Sequence, residues 1–282
     1  MTTWIGQIIG STGAVEAVRF DGDGWFRSRD GVSAWSLIHE AVETRTNLEQ
    51  HASSLLNVPF DLEGAQWAVP VTHPEPHRCW VTGTGLTHLG SAATRDSMHQ
   101  TLEADEASLS DSMKMFRMGL EGGKPAANQV GAQPEWFYKG NGLSLVPPGG
   151  DLALEAGAMD GGDESELAGI YIIRSDGRPV RIGFALGNEF SDHVMERINY
   201  LYLAHSKLRL SAFGPMIRIG EAPNSVHGRT RIIRDDQTIW EKPFTSGDDE
   251  MCHAISNLEH HHFKYAIFRH PGDLHVHYMG TS

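Results

Sequence analysis

The stretch GGDESELAGIY, residues 161–171, places two glutamates two positions apart at the start of an apolar run. In a β-strand, side chains at positions i and i+2 point to the same face of the sheet, so the carboxylates of Glu164 and Glu166 stand together. Two like charges this close repel, and the pKa of one rises unless a cation lies between them. The preceding glycines and aspartates are also typical of a solvated turn. The stretch alone therefore leaves two interpretations open, an acidic turn and a metal site.

The composition is that of a globular protein with an excess of acidic residues. Of its 282 residues, 40% are hydrophobic, and 23 Lys and Arg oppose 36 Asp and Glu, which gives a net charge of -13. No basic stripe balances this acid, which argues against nucleic acid or an anionic membrane as a partner. The charge favours a small molecule or a cation instead.

Cysteine content and the first residues bear on the compartment. Cys79 and Cys252 are too few for a disulfide framework. The opening MTTWIGQIIGSTG lacks the basic and apolar regions of a signal peptide. No apolar run approaches the ~18 to 20 residues that span a bilayer. We therefore expect a cytoplasmic protein.

Two units are predicted along the chain, residues 1–76 and 77–282. In the first unit, GAVEAVRFDGDGWF predicts a hairpin, and AWSLIHEAVETRTNLEQHASSLL predicts one amphipathic helix because its apolar residues recur at near-helical intervals. The proline-rich VPVTHPEPHR is typical of a connection. In the second unit, short β-rich segments follow Trp136. Hairpins are predicted for RSDGRP and TRIIRDDQTIWEKPF. A helix is predicted for MCHAISNLEHHHFKYAIF and a last strand for GDLHVHYMGTS.

Four segments in the second unit carry a family resemblance. In chain order they are DESELAGIY, IGFALGNEFSD, AHSKLRLSAFGP and PGDLHVHYMGTS, and together they resemble the fumarylacetoacetate hydrolase superfamily over residues 77–282. GTGLTHLGSAATRDSMH and QPEWFYKGNG narrow the resemblance to a bacterial branch of 2-keto-3-deoxy-sugar-acid (pentonate) dehydratases. The resemblance implies an α+β fold, a mixed β-roll with flanking helices, plus a small N-terminal α/β unit. It also implies a homodimer. Relatives continue beyond the Gly-Thr pair, so we expect the family's last strands to be missing here.

The resemblance answers the question raised by the glutamate pair. In relatives, the Glu-x-Glu pair and a later acidic residue bind one divalent cation, which implies Glu164, Glu166 and Glu189 as ligands here. Most relatives have aspartate at the third position, so Glu189 is one methylene longer. Three carboxylates without Cys or His make a hard oxygen site that suits Mg²⁺, or Mn²⁺ or Ca²⁺, rather than Zn²⁺. Three protein ligands also leave coordination positions open for a substrate.

The resemblance further implies residues that contact the substrate. Lys207 matches a lysine that faces the metal-bound substrate, and we take it as the candidate base for the C3 proton. Tyr138 and Lys139 match substrate-contacting residues. Thr281 matches a threonine that holds the substrate carboxylate.

One departure from the family pattern affects the predicted reaction. Hydrolases of the family activate water with a histidine, but alignment on the GLTHLGS turn places Ser91 at that position. His88 could replace the histidine, although it lies three residues early. Serine cannot act as a water-activating base without a partner base, which disfavours C–C bond hydrolysis. We interpret the other histidines, including His275 and His277, as structural, because no second ligand group has zinc-site spacing.

The sequence therefore predicts a metal-dependent lyase that dehydrates a 2-keto-3-deoxy sugar acid. From a pentonate the product would be 2-oxoglutarate semialdehyde, formed through a metal-stabilised enolate. The first alternative is a hydrolase of acylpyruvate-like diketo acids, which needs the same enolate chemistry. The second is a cation-binding domain without catalysis.

Overall fold

The computed structural model describes residues 2–90 and 109–281 of the chain. The helices described are α1 Ala34–Thr44, α2 Leu48–Leu55, α3 Asp111–Gly122, α4 His193–Ile198, α5 Leu203–Ser206 and α6 Ile255–Phe263. The strands described are β1 Trp4–Ile9, β2 Val15–Phe20, β3 Trp25–Arg27, β4 Val58–Pro59, β5 Cys79–Gly83, β6 Phe137–Asn141, β7 Leu145–Val146, β8 Ser165–Ile173, β9 Pro179–Asn188, β10 Ser211–Phe213, β11 Met216–Ile219, β12 Val226–Arg234, β13 Gln237–Ser246 and β14 Leu274–Thr281. The predicted α+β class is confirmed.

Twelve of the described strands form one mixed sheet. Its order is β4-β3-β2-β1-β11-β9-β8-β14-β5-β6, with β10 and β7 attached beside β9. β14 runs parallel to β5 and antiparallel to β8. β8 and β9 form the hairpin predicted from RSDGRP, and β12 and β13 form the second predicted hairpin as a separate two-stranded sheet. The N-terminal strands join this same sheet through β1 and β11, and the boundary at residues 76–77 remains a prediction.

The single helix predicted for residues 34–56 is wrong, because the structure has two helices there. α1 ends where Arg45 adopts a left-handed backbone conformation with φ 56°. Asn47 then caps α2 by accepting a hydrogen bond from the Gln50 backbone N–H. None of the helices within residues 2–90 and 109–281 has the length and apolarity needed to cross a membrane.

The strand that carries the glutamate pair lies between β9 and β14. Every residue of β8 after Ser165 is buried, as expected for a strand covered on both faces. Ile170 and Ile172 join one apolar cluster, whereas Tyr171 and Ile173 join another. Each such side chain contributes roughly 1.5–3 kcal/mol through burial. The second half of β8 is therefore fixed by core packing, and the pairing of its first residues with β9 extends this order to the glutamates.

Candidate active site

The pairing of β8 with β9 brings three glutamates together. Ser165 pairs with Asn188 and Glu166 with Gly187, so the start of β8 meets the end of β9, where Glu189 follows. One carboxylate oxygen from each of Glu164, Glu166 and Glu189 lies within 4.8 Å of the others. The three residues are 8%, 1% and 0% exposed. The structure thus brings together the three residues predicted to hold a cation, and their oxygen donors suit a hard divalent ion.

The three carboxylates have different pKa values because their neighbours differ. Burial would raise the pKa of Glu164, but hydrogen bonds from His193 and Lys207 hold it down to about 2. Burial, together with the charges of the other two glutamates, raises the pKa of Glu166 well above its ordinary range. Burial and the charge of Glu164 raise the pKa of Glu189 to about 7, although the charges of Lys139 and Lys207 act to lower it. A bound cation would relieve this repulsion.

The Lys207 ammonium lies among the carboxylates. Its Nζ donates hydrogen bonds to Glu164 Oε1 at 2.7 Å, to Glu189 Oε2 at 2.6 Å and to Ser191 Oγ at 3.0 Å. Burial lowers its pKa, but the glutamates outweigh burial and raise the pKa above the ordinary lysine value. A base must be unprotonated, so this environment opposes the predicted role of Lys207 as the C3 base. Lys207 does line the cavity, as a cation.

Lys139 is turned inward and not toward a substrate. Its side chain is 0% exposed, and its Nζ lies 2.6 Å from Glu189 Oε1. The same ammonium donates to the carbonyl oxygens of Phe190 at 2.5 Å and Lys207 at 3.1 Å. Three partners use all three of its protons. Lys139 therefore positions Glu189, and the structure does not place it where a substrate contact was predicted.

The other predicted site residues have separate positions. Tyr138 is 37% exposed and packs edge-on against Trp80, because strand alternation directs it away from the face of Phe137 and Lys139.

Thr281 lines the cavity and donates a weak hydrogen bond to the Ser165 carbonyl oxygen at 3.4 Å. His88 is buried with its Nε2 2.8 Å from Ser246 Oγ, so it does not line the cavity in place of a hydrolytic histidine. Ser91 lies outside the described residues.

A cavity of about 290 Å³ opens at the glutamates. Residues of several elements line it: Gly85, Leu86, Glu135, Phe137, Asp163, Glu164, Glu166, His193, Glu196, Tyr200, Leu203, Lys207 and Thr281. A larger cleft of about 490 Å³ lies beside Tyr171 and Arg181, but the glutamate cluster does not face it. The smaller cavity is the candidate active site because Glu164 and Glu166 of the glutamate cluster line it.

Glu135 is a candidate catalytic residue that the sequence analysis missed. Its Oε2 is buried and has no hydrogen-bond partner among the described residues. Burial, more than any neighbouring charge, raises the pKa of Glu135 to about 7. Gly85 makes room for it, since a Cβ there would lie 2.0 Å from Glu135 Oε1. The alternation in PEWFYK was the available signal, because it places Glu135 on the face of Phe137 and Lys139.

The C-terminal histidines pack against one another away from the glutamates. His262 Nε2 lies 3.0 Å from His275 Nδ1, and the His277 ring stacks on His262. Burial lowers the pKa of both His275 and His277 to about 3, so they are neutral. In the described parts of the chain, the three glutamates are the only group of three potential metal ligands that converge. A structural role for these histidines stays a prediction.

Comparisons with known proteins bear on the fold. No protein-family model matches the sequence, and no curated protein has significant similarity to it. Among solved structures, the apo form of a 2-keto-3-deoxy-D-arabinonate dehydratase is 17% identical, with a TM-score of 0.64 over 99% of this chain and 88% of that one. A structure of that enzyme "complexed with magnesium and 2,5-dioxopentanoate" is 15% identical, with a TM-score of 0.65 over 99% and 88%.

A second kind of enzyme has a similar structure. A 5-carboxymethyl-2-hydroxymuconate delta-isomerase from Mycobacterium smegmatis is 15% identical, with a TM-score of 0.55 over 100% of this chain and 88% of that one. The chain has the fumarylacetoacetate hydrolase fold. At these identities the likeness concerns the fold, and the same fold carries dehydration in one neighbour and isomerisation in another.

Proposed function

We propose that the protein is a metal-dependent lyase that dehydrates a 2-keto-3-deoxy sugar acid. The observation that carries this proposal is the convergence of three buried glutamates, two of which, Glu164 and Glu166, line a cavity together with Lys207 and Glu135. Removal of a proton next to a keto group requires a cation site, a fixed ammonium and a carboxyl group with a pKa near neutrality.

The residues that would hold the cation are Glu164, Glu166 and Glu189. Mg²⁺ is the ion we propose, with Mn²⁺ or Ca²⁺ as substitutes, because the donors are all carboxylate oxygens. When bound, such an ion would polarise the keto group of a 2-keto acid and make its C3 proton more acidic.

We assign proton transfer to Glu135 in place of Lys207. The ionised Glu135 carboxylate takes the C3 proton, the electrons of the C3–H bond form the C3=C4 double bond, and the C4–O bond breaks. Glu135 then returns its proton to the departing hydroxide, so that one water leaves. Lys207 remains protonated and offsets negative charge on the substrate, and Thr281 contacts the substrate carboxylate. For a pentonate, tautomerisation of the product gives 2-oxoglutarate semialdehyde.

The size of the cavity and one neighbour support a small sugar acid as substrate. A volume of about 290 Å³ lies just below the ~300–1,000 Å³ typical of ligand pockets. The magnesium-bound neighbour holds 2,5-dioxopentanoate, which is another name for 2-oxoglutarate semialdehyde. We therefore propose a five-carbon 2-keto-3-deoxy acid as the substrate.

The alternative is a hydrolase of acylpyruvate-like diketo acids. The observation in its favour is that His193 lines the cavity. Against it, His193 Nε2 lies 2.9 Å from Glu164 Oε1 and so is already engaged. Assays of 2-keto-3-deoxypentonates and acylpyruvates, each with Mg²⁺ and with chelator, separate the two reactions. We expect Mg²⁺-dependent aldehyde formation from a pentonate, and faster cleavage of acylpyruvates would refute the lyase. Cation binding without turnover of any compound would support a non-catalytic domain.

We also propose a homodimer in the cytoplasm. Exposed apolar side chains on the β12–β13 hairpin, such as Ile233 (59% exposed) and Trp240 (41%), provide a surface for a second copy. Two free, buried cysteines, Cys79 and Cys252, are compatible with a reducing compartment. Light scattering after size-exclusion chromatography gives the oligomeric state, and a monomer at micromolar concentration would contradict the dimer.

A further inference from the structure

The candidate site contains an unusual set of buried charges. Glu164, Glu166, Glu189, Lys139 and Lys207 are all more than nine-tenths buried. When all five are ionised, as cation binding requires of the carboxylates, three negative charges face two positive ones and the net charge is -1. Glu135 also lines the cavity, but burial raises its pKa to about 7, so it is neutral at pH 6, where the titrations below are done, and adds no charge to this set. The other charged groups near the cavity are more accessible to water: Asp163 is exposed, and the side chains of Glu196 and His193 are 22% and 33% exposed.

Lys207 and a cation would use the same carboxylates. The Lys207 ammonium bonds to Glu164 and Glu189, two of the three candidate ligands, at 2.7 and 2.6 Å. Lys139 bonds to Glu189 alone among the three. A divalent ion at 2.0–2.6 Å from these oxygens would lie within a few ångströms of the Lys207 ammonium. At such distances two positive charges repel strongly inside a protein.

Charge balance then depends on a third partner. With all three carboxylates ionised, a bound divalent ion brings the net charge of the buried set to +1, and an uncompensated buried charge is costly. One carboxylate from a 2-keto acid brings the net charge to zero. We infer that Lys207 makes tight cation binding conditional on the anionic substrate, so that cation and keto acid bind as a coupled pair. This inference rests on the proposed metal centre.

Removal of the Lys207 charge reverses the balance. Without it the buried set carries -2, so a divalent ion alone neutralises it, and a carboxylate added afterwards leaves an uncompensated -1. Coupling between ligands is reciprocal, so the variant should bind the cation more tightly and lose most of the effect of the keto acid. A side chain that only filled space would not produce these two opposite changes.

The test is isothermal titration calorimetry with Mg²⁺ at pH 6, with and without saturating pyruvate, a 2-keto acid that has no C4 hydroxyl to lose. In wild type we expect pyruvate to tighten Mg²⁺ binding at least tenfold. In Lys207→Met we expect Mg²⁺ alone to bind at least tenfold more tightly than in wild type, and pyruvate to change its affinity less than twofold. Lys242→Met, at an exposed residue of β13, is the matched control and should behave as wild type.

The outcomes separate this inference from the proposed function. No Mg²⁺ binding to wild type in either condition would overturn the metal centre itself. Mg²⁺ binding that is equally tight in wild type and Lys207→Met would overturn only the role of Lys207. Lys207→Gln, which keeps a hydrogen-bond donor without the charge, decides the question if the methionine variant does not fold. If neither variant folds, wild-type binding of Mg²⁺ that pyruvate does not tighten overturns the inference.

Discussion

Replacement of Glu135 by glutamine should separate catalysis from stability. Glutamine has nearly the same shape but cannot accept the C3 proton, so kcat should fall by about 10²- to 10⁴-fold. Mg²⁺ affinity should remain within about threefold of wild type, because Glu135 is not one of the three converging ligands. In wild type, kcat should rise with pH through a pKa near the value of about 7, because the base acts in its ionised form. Glu135→Gln should lose this limb of the profile.

The same substitution should make the protein more stable at alkaline pH. Burial raises the pKa of Glu135 from 4.5 to about 7, so ionisation is harder in the folded protein than in the unfolded chain. Below pH 4.5 Glu135 is protonated in both the folded and the unfolded protein, so its burial does not reduce the stability of the fold. Between pH 4.5 and 7 stability falls, and above pH 7 the full cost of roughly 3 kcal/mol applies, at 1.36 kcal/mol per pKa unit. Glutamine removes this cost, since it does not ionise.

Urea unfolding of both proteins at pH 4.5 and pH 8 measures this difference, and steady-state assays give kcat. We expect the two proteins to be equally stable at pH 4.5, and Glu135→Gln to gain up to roughly 3 kcal/mol at pH 8. A variant with full activity would show that the base lies elsewhere. A variant that is less stable at both pH values would refute the burial argument, because the carboxylate would then be making favourable contacts.

Three further substitutions test other parts of the site. Gly85→Ala places a Cβ 2.0 Å from Glu135 Oε1, so kcat should fall at least tenfold with Mg²⁺ affinity unchanged. The control Gly24→Ala, whose Cβ would lie 3.6 Å from its nearest atom, should leave kcat unchanged. Equal activity of the two variants would contradict the contact between Gly85 and Glu135. Glu166→Gln should weaken Mg²⁺ binding, measured by calorimetry, by about 100-fold or more, because even residues that only hydrogen-bond to a metal ligand contribute 10–100-fold to metal affinity. Unchanged affinity would remove Glu166 from the ligand set. Tyr138→Phe should leave kcat and KM within about twofold, as expected away from the cavity, and a large rise in KM would restore it as a substrate contact.

Strand geometry predicted only part of the convergence of carboxylates. Alternation placed Glu164 and Glu166 on one face, whereas Glu189 was implied by the family resemblance. The structure shows why Glu189 joins them, because the β8–β9 hairpin returns the chain to the end of the sheet where the glutamate pair lies. Local rules of this kind survive folding because core packing enforces the strand. The same rules would have shown that Tyr138 and Lys139 cannot both face a substrate, since neighbouring residues of a strand point to opposite faces.

The roles of the lysines could not be predicted from sequence. A long side chain can place its ammonium several ångströms from its Cα in many directions, and only tertiary contacts select one. The carbonyl oxygens of Phe190 and Lys207 fix Lys139, and no local pattern encodes that choice. The break between α1 and α2 was missed for a related reason, because the apolar periodicity continues across Arg45 while the backbone does not.

The position of β14 has a consequence for synthesis on the ribosome. β14 lies between β5 and β8, and Thr82 of β5 is 195 residues from His277, its partner on β14. At about 5–20 residues per second, the ribosome needs roughly 10–40 s to produce that separation. During this time the edge of β5 that faces β14 has no partner. The corresponding edge of β8 waits for a shorter time, roughly 5–20 s, because His277 follows its β8 partner Gly169 by 108 residues. Unpaired edges are where chains associate wrongly. Expression at low temperature or with abundant chaperones should therefore raise the yield of folded protein more than it does for a protein whose neighbouring strands are consecutive.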